Sequence, residues 1–175
     1  MSPSSRRSSA PQARRKALES TLLQLARTAE QLEAAVRAFD QGFDREAFST
    51  AWYSSAPRQR NRAMLVRSNM DDLHNLCQAL IALSVRVAHD EGAIPADRKT
   101  PAADQLRALG RYPKDVAEVM REVVGLRNAS QHEYWILTPE EVHAAVNRQR
   151  QYLPSFIADV GTWVEGILTE TDPSS

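Results

Sequence analysis

The sequence predicts an all-α protein, an antiparallel bundle of four to five helices. Three observations carry that expectation. Apolar residues recur at alternating three- and four-residue steps, the spacing of one helix face. No segment alternates polar and apolar convincingly with period two, as a half-buried strand would. Gly42, Pro57, Gly92, Pro95 and Pro113 punctuate the periodic segments where helices would end.

The first helix is read from Leu18, Leu22, Leu25, Ala29, Leu32, Val36 and Phe39, one continuous stripe that Gly42 ends. A short helix follows over about Asp44 to Ser54, with Phe48 and Trp52 one turn apart. Beyond Pro57 a long helix runs from about Arg58 to His89, with Leu73, Leu76, Leu80, Leu83 and Val87 as its stripe. Gly92 and Pro95 close it. The stretch from Pro95 to Pro113 reads as a connector with a short helix around Leu106–Leu109. The next helix starts near Lys114 and turns Val116, Val119, Met120, Val123 and Leu126 toward the core. Thr138-Pro139-Glu140-Glu141 then opens the last helix: a Thr cap, Pro in the first turn and Glu three residues after the Thr form a capping box. Its stripe is Leu153, Phe156, Val160, Trp163 and Ile167, and Pro154 is expected to kink or split it.

Composition removes several function classes. The 22 basic and 22 acidic residues cancel, which argues against a protein that coats nucleic acid in bulk. The single cysteine, Cys77, forbids an intrachain disulfide and a cysteine-based metal cluster. No apolar run approaches the ~20 residues that span a bilayer. No GxGxxG or GxxxxGK[ST] pattern occurs, which removes dinucleotide-binding and P-loop readings. These exclusions leave a domain expected to be cytoplasmic, with no cofactor and no metal.

The charge is uneven along the chain. Arg6, Arg7, Arg14, Arg15 and Lys16 fall in an acid-free start, which leaves the rest with 17 basic and 22 acidic residues. Residues 1–17 read as a disordered basic Ser/Arg-rich tail, residues 18–170 as the bundle and residues 171–175 as a polar tail. The start also resembles a transit peptide in composition, and a basic arm attracts RNA. A twin-arginine signal is disfavoured because no apolar run follows Arg6-Arg7.

The chemistry-bearing stretch is Leu126-Arg127-Asn128-Ala129-Ser130-Gln131-His132-Glu133-Tyr134-Trp135. On a helix Arg127 and Tyr134 nearly eclipse each other, whereas Arg127 and His132 lie about 140° apart. One straight helix cannot aim both at the same atom. Either the helix breaks between them, or a second copy of the site completes it. The residue types suit metal-independent RNA cleavage. A base must take the ribose 2′-OH proton and an acid must protonate the leaving 5′-oxygen; histidine, titrating near pH ~6.5, serves either role. Arginine offers a permanent positive fork to the phosphate and its transition state. Asn128 can orient the histidine or bind a phosphate oxygen, and Trp135 or Tyr134 can stack an unpaired base. The plainer reading is an arginine paired with a carboxylate such as Glu118 or Glu122, a surface histidine, and aromatics closing a bundle end.

The run Gly125-Leu126-Arg127-Asn128, then His132 and Tyr134-Trp135, resembles the signature of HEPN-domain proteins: Arg, a polar neighbour, and His after a short spacer. The Tyr two after the His is similar to the HepT branch, the toxin half of HepT/MntA toxin–antitoxin pairs. Phe43 to Trp52, Leu76 to Ile81, the Gly92/Pro95 connector, Leu106 to Gly110 and Glu140-Glu141-Val142 resemble that family in order and spacing, over roughly residues 18 to 168. Ser130 and Gln131 depart from it, since many relatives are apolar there. The resemblance implies a homodimeric HEPN-type bundle that brings two motifs into one cleft, and an endoribonuclease with Arg127, Asn128 and His132 as catalytic residues. It also implies that Tyr134 accepts AMP from an MntA-like nucleotidyltransferase antitoxin, placing bulk and negative charge in an RNA phosphate site. The alternatives are a non-catalytic module of the same fold, binding RNA or the nucleotidyltransferase, and a plain helical interaction protein.

Other polar residues are assigned to structure. His74 reads as a partly buried packing residue, His89 as a cation at a helix C-terminus, and His143 as a solvated helix-face residue. Asp71 and Asp72 face different directions and are expected to be solvated. Cys77 suits a small core position, and Trp52 and Trp163 read as core.

Overall fold

The computed structural model describes residues 9–40, 42–95, 99–102, 104–105 and 137–169. Within them the chain is all-α: α1 (Ser9–Arg37), α2 (Arg45–Trp52), α3 (Pro57–Asp90) and α4 (Pro139–Thr169). The helix expected from Lys114, the short helix around Leu106–Leu109, residues 1–8 of the basic tail and the polar tail at 171–175 lie outside the described residues.

α1 and α3 run antiparallel as the backbone of the bundle. Arg62, near the start of α3, sits 3.6 Å from Asp40, just past the end of α1. At the other end Asp90, the last residue of α3, takes a 2.7 Å bond from Arg14 near the start of α1. α4 is antiparallel to α1 as well: Arg150 grips Glu33 with two nitrogens, and Gly161 lies against Leu22. α2 packs against α3 and α4.

The expected stripes form the core. Leu18, Leu25, Leu32 and Val36 of α1 are buried, as are Leu73, Leu80 and Val87 of α3 and Leu153, Phe156 and Val160 of α4. Leu22, Ala29, Phe39, Leu76, Leu83 and Trp163 line the edges of that core, half-buried; the side chain of Ile167 lies outside those described. α3 buries more than its stripe announces. Met70, His74, Cys77, Ile81 and Val85 form a second buried row beside it, so about 160° of its circumference is covered. A helix buried that widely is packed on more than one side.

The element ends follow their local chemistry. Asp44 caps α2 by accepting from the Ala47 amide at 2.7 Å. Gly92, at φ 72°, lets the end of α3 close in a Schellman motif: the Ala93 amide reaches the Ala88 carbonyl at 2.9 Å, and the Gly92 amide reaches that of His89 at 3.0 Å. The capping box at α4 forms as expected. The Glu141 carboxylate accepts from the Thr138 amide at 2.8 Å, and the Glu141 amide donates to the Thr138 hydroxyl at 3.3 Å.

Three expectations are corrected. α1 starts at Ser9, so residues 9–17 are helical rather than tail. The physical reason is at the far end of α3, where Asp90 and Glu91 pair with Arg14 and Arg15; two of the five basic residues of the presumed arm are thereby neutralised. Pro154 does not split α4, which is one helix from Pro139 to Thr169. Proline removes the amide that would bond the Arg150 carbonyl, but the buried residues either side of it, Leu153 and Phe156, hold the helix to the core. His143 is not a solvated helix-face residue. Its ring stacks on Phe43 at 4.8 Å, and its Nε2 donates to the Phe43 carbonyl at 3.0 Å.

Candidate functional site

The candidate site residues are not among those the structure describes. Arg127, Asn128, His132, Tyr134 and Trp135, with Glu118 and Glu122, lie outside the described residues. The two chain ends that flank this stretch are placed, and each is tied down.

At the first end, Gln105 is held at the C-terminus of α3. Its side-chain oxygen lies 2.9 Å from Nε2 of His89, and its nitrogen donates to the Thr100 carbonyl at 2.7 Å. An amide oxygen only accepts, so Nε2 of His89 carries the proton in this contact. The predicted dipole partner at the helix end is thus also a clasp on the connector. At the second end, the chain returns through Leu137, half-buried against the core, and Thr138. The first turns of α4 sit on an aromatic cluster in which Phe39, Phe43 and Phe48 have ring centroids 5.2–5.9 Å apart. His143 lies over two of these rings. The two ends are at opposite poles of the bundle. Asp90 and Arg62 are 28 residues apart on α3, about 42 Å at 1.5 Å per residue. Gln105 and Leu137, the described residues on either side of that stretch, therefore stand at opposite poles.

The described histidines are all engaged. His74 is buried in α3, His89 holds Gln105, and His143 holds Phe43. The fourth histidine of the chain, His132, lies outside the described residues. A cleft of about 520 Å³ opens between the end of α1, α2 and the start of α3, lined by Asp40, Asp44, Glu46, Gln59 and Arg62 among others. It holds no histidine and no cysteine, hence no group whose ordinary titration fits acid–base work near neutral pH. Among the described residues, no three of His, Cys, Asp and Glu gather as metal ligands. No described helix is long and apolar enough to cross a membrane.

The remaining titratable groups behave as framework. Cys77 is buried in α3, and burial pushes its thiol up to about 12, so it is no nucleophile near neutral pH. Asp71, expected to be solvated, is half-buried. Burial raises its pKa, outweighing the opposing Arg67, whose guanidinium is a long 3.8 Å away; Asp72 adds to the rise. Trp52 is half-buried with the Arg67 guanidinium 5.4 Å over its ring.

Thr28, Asn69, Ser84 and Gln149 are buried polar residues that sequence reasoning missed, and two of them stand out. Ser84 is fully buried in α3, and Gln149 is buried in α4 at 1% exposure. Neither side chain has a hydrogen-bond partner among the described residues. Gln149 sits in the series Val142, Val146, Gln149, Leu153, Phe156 and Val160, and that register was the available signal.

The family model described as ribonuclease HepT-like matches residues 29–160, about three quarters of the chain, from the second half of α1 into α4. The matched range includes the stretch Arg127 to Trp135. No curated protein and no solved structure matches the chain.

Proposed function

The chain belongs to the HepT-like ribonuclease family, and from that premise we propose that it is a metal-independent endoribonuclease, the toxin of a toxin–antitoxin pair. The observation that carries this reading is the family match across an intact Arg127-Asn128…His132-x-Tyr134 motif.

In the proposed reaction His132 works at the ribose. The 2′-oxygen forms a bond to the adjacent phosphorus and the bond from phosphorus to the 5′-oxygen breaks. The 2′-OH proton passes to a base, and the leaving 5′-oxygen takes a proton from an acid. The products are a 2′,3′-cyclic phosphate and a 5′-hydroxyl. Arg127 binds the phosphate and its transition state through a bidentate fork, and Asn128 orients the imidazole or a phosphate oxygen. Trp135 stacks an unpaired base. Because Arg127 and His132 diverge by about 140° on one helix, the reading places two copies of the motif in one dimer cleft. Tyr134, two residues after His132, is the proposed acceptor of AMP from an MntA-like nucleotidyltransferase antitoxin. The adduct would occupy the phosphate site with bulk and negative charge.

The test is cleavage of total RNA by antitoxin-free protein in EDTA, with fragment ends analysed. Wild type is expected to cut and to leave 2′,3′-cyclic phosphate ends, whereas Arg127→Ala and His132→Ala do not cut yet remain dimeric. A His132→Ala variant that cuts as fast as wild type refutes the catalytic assignment. No cutting by unmodified, dimeric wild type on several RNAs refutes the nuclease and leaves a binding module. Tyr134→Phe is expected to keep cleavage and escape modification, and a gain of one AMP in its intact mass after incubation with antitoxin and ATP refutes that role.

A further inference from the structure

One internal stretch of this neutral chain, where α2 turns into α3, is basic. Residues 47–70 contain four arginines and no acidic residue, and no acid stands in the first turn of α3. Two of the four are engaged: Arg62 faces Asp40, and Arg67 lies over Trp52 and against Asp71. Arg58 and Arg60 are exposed, and their side chains have no ion pair or hydrogen bond among the described residues. In the short connection between α2 and α3, just before these arginines in the chain, stands Tyr53, 73% exposed. Its side chain likewise has no partner among the described residues. The corner itself is built rather than loose. The Ser54 hydroxyl donates to the Gln59 side-chain oxygen at 2.6 Å and accepts from the Ala56 amide at 3.1 Å, which sets the tyrosine's place relative to the first turn of α3.

From this arrangement we infer that Tyr53, Arg58 and Arg60 form a docking surface for the backbone and bases of single-stranded RNA, outside the cleavage motif. The inference rests on the ribonuclease reading. An arginine-rich surface attracts any polyanion, but an aromatic ring left in water next to it is the chemistry of base stacking. Stacking on a side chain needs an unpaired base, so the occupant is single-stranded. Arg58 and Arg60 are about 200° apart around α3. They flank the start of the helix rather than line one face. A strand crossing the helix end meets both; a strand running along the helix does not. The surface is at the pole where Leu137 and the first turns of α4 stand, since α2 packs against both α3 and α4.

The experiment uses the full, antitoxin-free chain and a fluorescent single-stranded pool of random sequence, 2′-O-methylated so that it cannot be cut. A length of about 12 nucleotides falls within the site sizes of such surfaces. Anisotropy is followed against salt. The Arg58→Gln/Arg60→Gln variant is expected to bind about tenfold more weakly and to lower the salt slope by ~0.7 for each arginine that neutralises a phosphate. Tyr53→Ser should weaken binding about tenfold with the slope unchanged, and Tyr53→Phe, which keeps the ring, should bind as wild type. Far-ultraviolet circular dichroism checks that these exposed substitutions leave the helices intact. Variants that bind as tightly as wild type, with the same slope, overturn the inference. Displacement of the pool by polyglutamate as effective as displacement by unlabelled RNA also overturns it, assigning the corner to an acidic protein. Cleavage of unmodified RNA separates the two readings. Wild type that cuts while the variants bind normally keeps the nuclease and sinks the surface. Wild type that never cuts, while the variants lose binding, keeps the surface and sinks the nuclease.

Discussion

Gln149→Met tests whether the core of α4 carries an unsatisfied amide. The residue is 1% exposed and sits in register with Val146 and Leu153, and neither its Nε2 nor its Oε1 has a partner among the described residues. A buried polar group without a hydrogen bond costs about 1–3 kcal/mol relative to water. Methionine has nearly the same length and flexibility, so it fills the space without a cavity and without the polar atoms. The variant should therefore be more stable by about 1–3 kcal/mol. For a chain of this size each kcal/mol moves Tm by about 2–4 °C, so the expected rise is between about 2 and 12 °C. The assay is thermal unfolding by circular dichroism at one fixed protein concentration, because association would otherwise shift Tm. A fall in Tm for Gln149→Met refutes the reasoning, since it means that the amide is hydrogen-bonded and that its loss outweighs the gain.

Other predictions follow from the framework. Cys77, raised from 9.0 to about 12 by burial, should resist alkylation in the folded protein at pH 8 and react on unfolding; ready labelling of native protein contradicts its burial. The same shift fixes a pH window. The folded state keeps the thiol proton that the unfolded state releases, so this contribution is complete below about pH 9 and is lost as pH rises toward 12; denaturant titrations of wild type against Cys77→Ala should converge in that direction. Asp71 has a raised pKa because burial outweighs Arg67, so holding its carboxylate charged in the folded state costs stability. Asp71→Asn should then match or exceed wild type in Tm at pH 7, and a clear drop would show that the 3.8 Å contact with Arg67 dominates. His143→Ala should destabilise by about 1–3 kcal/mol, from a lost hydrogen bond and lost ring contacts, and amide exchange should rise first in the opening turns of α4.

The sequence alone determined the helical class, the long stripes and the ends of most elements, because these depend on local rules. A period of 3.6, a capping Asp44, the positive-φ Gly92 and the Thr138–Glu141 box act within a few residues of themselves. It also singled out the Arg127–Trp135 stretch as a candidate, because that reading needs only a spacing of residue types. Tertiary structure decided whatever depends on a partner distant in sequence. Residues 9–17 became helix through Asp90 and Glu91, some 75 positions away. His143 left solvent for Phe43, a hundred residues earlier. Burial outweighs the helix neighbour Arg67 in setting the direction of the Asp71 shift. Gln149 is buried because its register points inward, whatever its polarity. Local propensity acts over one or two turns, whereas burial and pairing are settled only when the antiparallel packing of α1 against α3 and α4 brings distant faces together.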